Sequence, residues 1–291
     1  NVNRGGSKGN NTIQKDYFLP SLNLKYNLND KNSLRLGASK TYTLPQAKEI
    51  SPYRYVGVNF NSQGNPNLKP SDNYNLDLKW DFNPTPTELI SLTAFYKLIK
   101  NPISRIEVAS AGGYLSYENI ADKATVAGVE VEIRKNLFVR PVSNAAHGMN
   151  KLSLGLNGSY IYTNAKMPLA TVTTGSQLEG AAPWIVNFDL SHNFTKGERS
   201  FVNTLVLNYV SDKIYTIGTQ GYQDMMEQGV LTLDFVSQAK LNKHLSLNLK
   251  ARNLLNPSYK LSRKANENGE KVILNDYKKG INISLGVSCT F

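Results

Sequence analysis

Three histidines, His147, His192 and His244, and a single cysteine, Cys289, are the residues of this chain best suited to metal ligation or nucleophilic chemistry. Their spacing supports neither. A zinc-protease helix places two histidines on one face with a glutamate between them, and no HxxH or HExxH occurs. The serine elbow GxSxG is also missing. No metal site, cofactor or catalytic residue is therefore expected. Cys289 rules out a disulfide within the chain and reads as a small apolar residue. Binding is the better-supported chemistry. Tyrosine, tryptophan and arginine dominate binding surfaces, and they recur in the longest polar connections as Tyr53, Arg54, Tyr55, Arg105, Tyr114, Trp184, Tyr215 and Tyr222. These eight are the candidate ligand contacts. The competing role for each is to pack one loop on another.

The elements that position such loops are strands. The last twelve residues, GINISLGVSCTF, alternate without a break: Ile281, Ile283, Leu285, Val287, Cys289 and Phe291 against Gly280, Asn282, Ser284, Gly286, Ser288 and Thr290. A period of two is the strand period. The same alternation recurs in Phe18–Leu28, Leu34–Ala38, Tyr74–Phe82, Ile90–Leu98, Val129–Ile133, Leu152–Tyr162, Val186–Phe194, Leu231–Leu241 and Leu245–Ala251. The segment Phe201–Val210 has apolar residues in both phases and is read as a strand from its context. The pattern predicts about eleven strands of roughly 9–13 residues, the length a tilted bilayer crossing requires. Lys25, Arg35, Asp77, Lys79, Lys97, Glu130, Glu132, Asp189, Lys250 and Arg252 all fall on the polar faces, and no Asp, Glu, Lys or Arg falls on the apolar faces so listed. A lipid-facing surface imposes that exclusion, because a lysine or arginine at mid-bilayer costs roughly 2–4 kcal/mol.

Composition agrees. The 291 residues have a mean hydropathy of −0.37 and 40% hydrophobic residues, as expected where a polar lumen dilutes an apolar exterior. No apolar run approaches the ~20 residues of a membrane helix. The net charge is +11, but the 33 lysines and arginines are spread evenly. A nucleic-acid groove would need them clustered, so no nucleic acid is expected. The small clusters Arg263–Lys264 and Lys278–Lys279 suit lipopolysaccharide phosphates. The N-terminal residues NVNRGG carry no signal sequence, so an exported protein would have its signal upstream.

Short links at Asn29–Asn32, Asn83–Thr87, Thr195–Ser200 and Asn242–His244 alternate with long ones at Thr43–Pro70, Ile99–Ser116, Asn164–Ala182, Ser211–Gln228 and Leu254–Asp276. The pattern is that of short periplasmic turns and long extracellular loops. Lys135–Asn150 is the exception, a long link where a short one is due. With short links periplasmic, Tyr26, Trp80, Phe82, Phe194, Phe201 and Phe291 share the periplasmic edge. Tyr74, Tyr96, Tyr160, Tyr162, Tyr209 and Tyr277 lie toward the outer edge, giving two aromatic belts. The fold class expected is all-β, a transmembrane antiparallel up-and-down barrel. Bacterial single-chain barrels have even strand counts, so eleven strands imply part of a larger one.

Four stretches carry a family resemblance: GNPNLKPSDNYNLDL at Gly64–Leu78, YENIADKATVAGVEVE at Tyr117–Glu132, RNLLNPSY at Arg252–Tyr259, and the terminal Phe291. In this order they resemble the C-terminal half of a TonB-dependent outer-membrane receptor of the kind common in Bacteroidetes, over nearly the whole chain from about Asp16. The resemblance implies the bacterial outer membrane and a 22-stranded barrel closed by an N-terminal plug. Residues 1–291 would then be the C-terminal part of the barrel domain, with the plug and first strands upstream. It implies energy-coupled uptake of a scarce solute, an iron chelate, vitamin or glycan, driven by the TonB complex through the missing N-terminal region. Further partners implied are outer-membrane lipid and lipopolysaccharide, the barrel assembly machinery reading a terminal strand that ends on Phe291, and a surface lipoprotein or larger outer-membrane complex. The polar inward faces either line the lumen or grip the plug. Two other functions fit a strand-rich chain: a non-transporting barrel subunit of an assembly or secretion complex, and a soluble carbohydrate-binding sandwich. Gly64–Pro70 reads first as turn chemistry.

Overall fold

The computed structural model describes residues 16–108, 113–142, 148–167, 177–219, 221–265 and 269–290. His147 and Phe291 lie outside them. Eleven strands form one antiparallel sheet, each paired with the next along the wall: Ser21–Asn29, Asn32–Thr43, Ser71–Phe82, Leu89–Lys100, Lys123–Pro141, Met149–Ala165, Trp184–Lys196, Arg199–Val210, Val230–Lys240, Leu245–Arg252 and Asn282–Cys289. Ser21–Asn29 and Asn282–Cys289 are the two ends of the sheet.

The wall is inside-out relative to a soluble sheet. Leu24, Leu76, Leu78, Leu92, Val131, Ile283, Leu285 and Val287 are exposed, while the alternating Asn73, Asp81 and Ser91 are buried. A water-soluble sandwich would bury the apolar face; here that face points outward along the whole sheet. No helix among the described residues is long and apolar enough to cross a membrane. The phase of Phe201–Val210 is settled by its partners. Leu205 and Leu207 lie opposite Leu190 and Phe188, and Tyr209 opposite Val186, so these share the outward face.

Short turns gather at one end. Two are closed by an asparagine that caps its own turn: Asn29 Oδ1 accepts from Lys31 and Asn32 N–H at 3.0 and 2.9 Å, and Asn242 Oδ1 from His244 and Leu245 N–H at 2.8 and 2.9 Å. Asparagine side chains mimic a backbone turn in this way. The expected long link Lys135–Asn150 is corrected: strand continues to Pro141 and resumes at Met149, and one bulge near Leu152 absorbs the change in register. The seven-residue remainder, 142–148, makes this a short end like the others. The closing strand starts at Asn282, later than read from the sequence. Tyr277 therefore leaves the outer belt and joins a loop hairpin, Ser258–Lys264 with Lys271–Lys278.

The long loops at the other end carry the compact apolar core. Ile106, Ile120, Ala121, Ala124, Ala165, Leu178, Ile214 and Ile217 pack together there. All but Ala124 and Ala165 come from segments between wall strands. Eight short strands form two four-stranded sheets above the wall. A parallel bridge joins Ile106 to Ile217, with Glu107 N–H donating to Ile217 O and Ile217 N–H to Arg105 O, each at 3.0 Å.

Candidate functional site

The asparagines of the quoted motifs fix the loop bases. Asn65 Nδ2 donates to Tyr117 O at 3.0 Å, and Lys69 N–H donates to Asn119 Oδ1 at 2.8 Å while Asn119 Nδ2 returns to Lys69 O at 3.0 Å. The GNPNLKP and YENI stretches are thus two halves of one clamp. Gly64 is required there because a Cβ would fall 2.6 Å from Lys48 O and 2.7 Å from Glu49 O. In RNLLNP, Asn253 and Asn256 take φ of 58° and 43°, a region asparagine tolerates better than most residues. Asn253 N–H donates to Asp234 Oδ1 at 2.8 Å, and Gly280 N–H to Asn256 Oδ1 at 3.0 Å. The chain thereby enters and leaves the 253–281 loop at fixed points.

Above these clamps, four loops enclose a cavity of about 600 Å³. Loop 44–70 contributes Lys48 and Phe60, loop 101–122 Arg105 and Tyr117, loop 211–229 Tyr215 and Glu227, and loop 253–281 Tyr259, Lys260 and Tyr277. Arg105 is its arginine. Its guanidinium lies 4.0 Å from the Tyr215 ring centre, and Nη2 donates to Glu179 Oε1 at 2.8 Å. Burial opposes the Arg105 charge, but the Glu179 carboxylate outweighs it and the pKa is raised. Burial also raises the Tyr117 phenol, with Arg105 opposing, so Tyr117 stays a neutral donor at neutral pH. Tyr259 and Tyr277 stack at 5.4 Å, with Lys279 Nζ 3.8 Å from the Tyr259 ring centre. The lining is aromatic and of mixed charge: Lys48, Arg105 and Lys260 stand with Glu227, and Lys260 Nζ lies 3.6 Å from the Asp276 carboxylate.

Of the eight candidate contacts, the structure brings Arg105 and Tyr215 to this cavity. Arg54 lies 5.2 Å from the Tyr114 ring beside it, while Tyr53 and Tyr55 are exposed on the same loop as Arg54. Tyr222 faces Arg263 at 5.2 Å, and Arg263 is ion-paired with Glu107. Trp184 is corrected from loop to wall: it opens the Trp184–Lys196 strand opposite Tyr160, with the two rings 4.7 Å apart on the outward face. Sequence reasoning missed Phe60, Tyr117, Glu179, Tyr259, Lys260 and Tyr277. Aromatic enrichment could have flagged the tyrosines, but nothing local flags Glu179. His192 and His244 are engaged elsewhere, with Asn150 Oδ1 and Thr290 O at 2.8 and 2.7 Å.

The model of the TonB-dependent receptor-like β-barrel matches residues 1–254. The chain belongs to that family. The receptor barrel therefore lies in the bacterial outer membrane, and its outward apolar face is the lipid face. It is 24% identical over 240 residues to the iron-regulated outer membrane virulence protein of Vibrio cholerae, covering 79% of this chain and 34% of that protein. In fold it is similar to the ferric enterobactin receptor PfeA of Pseudomonas aeruginosa, with a TM-score of 0.57 and 19% identity over 94% of this chain and 40% of the other. It is likewise similar to the siderophore receptor PirA of Acinetobacter baumannii, with a TM-score of 0.59, 17% identity, and 94% and 41% covered. The copper transporter OprC gives a TM-score of 0.61 at 14% identity, with 92% and 38% covered. The receptor barrel thus spans about a third of the length of the curated relatives it matches.

Proposed function

We propose that this chain is the C-terminal part of a TonB-dependent receptor that imports a scarce anionic metal chelate, and that the Arg105–Tyr215 cavity is part of its ligand site. The observation that carries the reading is the cavity's lining: Lys48, Arg105 and Lys260 against the single carboxylate Glu227, set among Phe60, Tyr117, Tyr215, Tyr259 and Tyr277 at the loop end of the wall. Cations and ring faces suit a charged aromatic chelate better than a neutral glycan. The relatives' names, which speak of iron regulation, ferric enterobactin and siderophores, support an iron chelate. The remaining strands, a plug and the segment pulled by the TonB complex would precede residue 1. The assembly machinery would read the terminal strand with Phe291. The Bacteroidetes-type assignment rests on the quoted motifs, and a surface lipoprotein partner on the same resemblance.

The test is uptake. The full-length receptor is expressed in an iron-starved strain lacking its own chelate receptors, and radioactive iron accumulation is followed with ferric enterobactin and other ferric chelates. Energy-dependent accumulation of at least one chelate is expected. Accumulation of none, with the protein isolated in a stoichiometric outer-membrane complex, would favour the non-transporting subunit instead.

A further inference from the structure

The two loop sheets form one canopy above the wall, and its last strand has a free edge. One sheet runs in the order Arg54–Tyr55, Ser62–Gln63, Tyr114–Asn119, Ile103–Val108. The other runs Lys213–Thr216, Met225–Glu227, Ser258–Lys264, Lys271–Lys278. The bridge from Ile106 to Ile217 joins their inner edges. The outer edges differ. Arg54–Tyr55 is two residues long, and a very short strand is one way to blunt an edge. Lys271–Lys278 is eight residues, KVILNDYK, with lysines only at its ends. Between them Val272, Ile273 and Leu274 are 50%, 46% and 38% exposed. Successive side chains point to opposite faces, so both faces of this edge present apolar surface. A long exposed apolar edge of this kind is a template for a further strand.

The direction of the edge says what covers it. Ser258–Lys264 has Met225–Glu227 on one side and Lys271–Lys278 on the other. The free edge therefore points away from the loops present, toward the side on which the wall also stops. Lys271–Lys278 leads directly into Asn282–Cys289, the end strand of the wall, which pairs with Leu245–Arg252 and runs toward the short turns. An open sheet edge does not persist in lipid. A strand that closes antiparallel on Asn282–Cys289 must rise toward the loop end, and its loop begins beside Lys271–Lys278. We propose that the start of that loop adds to Lys271–Lys278 as an antiparallel strand, through backbone hydrogen bonds, with apolar side chains against Val272, Ile273 and Leu274. The occupant is thus a segment of the full-length chain rather than a second copy. It also steadies the hairpin that carries Tyr259 and Tyr277 to the cavity. The inference rests on the reading that barrel strands precede residue 1. This chain covers 34% of a curated relative and 40% of the PfeA chain, which leaves room for them.

Photocrosslinking of the full-length receptor on cells tests the edge. Ile273 is replaced by p-benzoylphenylalanine, with Leu274 as a second position, and heat-modifiable electrophoretic mobility verifies assembly. The expected product is a crosslink at monomer mass to the loop that follows the strand closing on Asn282–Cys289. A product of dimer mass, or a crosslink to lipopolysaccharide or another protein, would overturn the proposal. Val58 is fully exposed on another loop and serves as the reference. Above the background of the unsubstituted receptor, Ile273→Cys is expected to react with a membrane-impermeant maleimide at least about tenfold more slowly than Val58→Cys, because labelling waits on local opening. Equal rates would overturn the proposal as well. Hydrogen exchange over residues 271–278 separates backbone pairing from side-chain cover: slow exchange along the whole stretch is expected, and rapid exchange at alternate amides would overturn the added strand. Chelate uptake is scored separately, so either reading can fail alone.

Discussion

Arg105 stacks on Tyr215 at 4.0 Å although the two residues belong to different loops. Glu179, from a third, pairs with the same guanidinium at 2.8 Å. The arrangement joins three loops through one side chain, and it yields the first prediction. Arg105→Ala should weaken chelate binding at least about tenfold, or 1.4 kcal/mol, while Arg105→Lys recovers only part because the planar fork is lost. A double-mutant cycle with Glu179→Ala should show a coupling of roughly 0.5–3 kcal/mol in stability. Titration with the chelate that supports uptake, alongside denaturant unfolding, measures both.

Phe95 faces Gly128 across the wall on the inward side. A Cβ at Gly128 would run into the Phe95 ring and Tyr160 O. Gly128→Val should therefore cost roughly 1–3 kcal/mol by overpacking. Replacing Phe95 with Ala in the same chain should recover part of that loss. Urea unfolding midpoints of the refolded barrel decide.

The outward phase predicts an asymmetry between neighbours. Leu78 is 51% exposed on the lipid face, and Leu78→Arg should destabilise by about 2–4 kcal/mol. Lys79, inward and 3.5 Å from Asp81, should tolerate Ala with a change below about 1 kcal/mol. Equal costs at the two positions would contradict the register. The measurement is unfolding in lipid vesicles.

Glu88, at a short turn, has its pKa lowered from 4.5, first by the backbone N–H of Asn136 and then by Lys135 and Thr85. A depressed carboxylate adds stability above its unfolded pKa and loses it as pH falls through the folded value. Glu88→Gln should therefore lower the unfolding midpoint at pH 7, and the gap to the parent should close as pH drops below 4.5. A gap that widens on acidification would overturn the assignment.

Much of the wall was legible because its signal is local. Most strands alternate with period two, and charges avoid the lipid phase through the middle of the wall. Trp184 and Tyr277 were misplaced because alternation fades where a strand leaves the membrane and a loop hairpin begins. The Lys135–Asn150 link failed for a different reason: a bulge near Leu152 breaks the period without breaking the strand.

By itself, the sequence determined the eleven-strand wall, its lipid face, the alternation of turns with loops, and the asparagine-rich motifs that mark the family. Tertiary structure alone decided which loop side chains meet. Arg105 and Glu179 are 74 residues apart, and Arg263 and Glu107 are 156 apart. No local periodicity encodes such pairs. They form because the wall's register holds the loop bases side by side, and the loops then bury a shared core around Ile106 and Ile217.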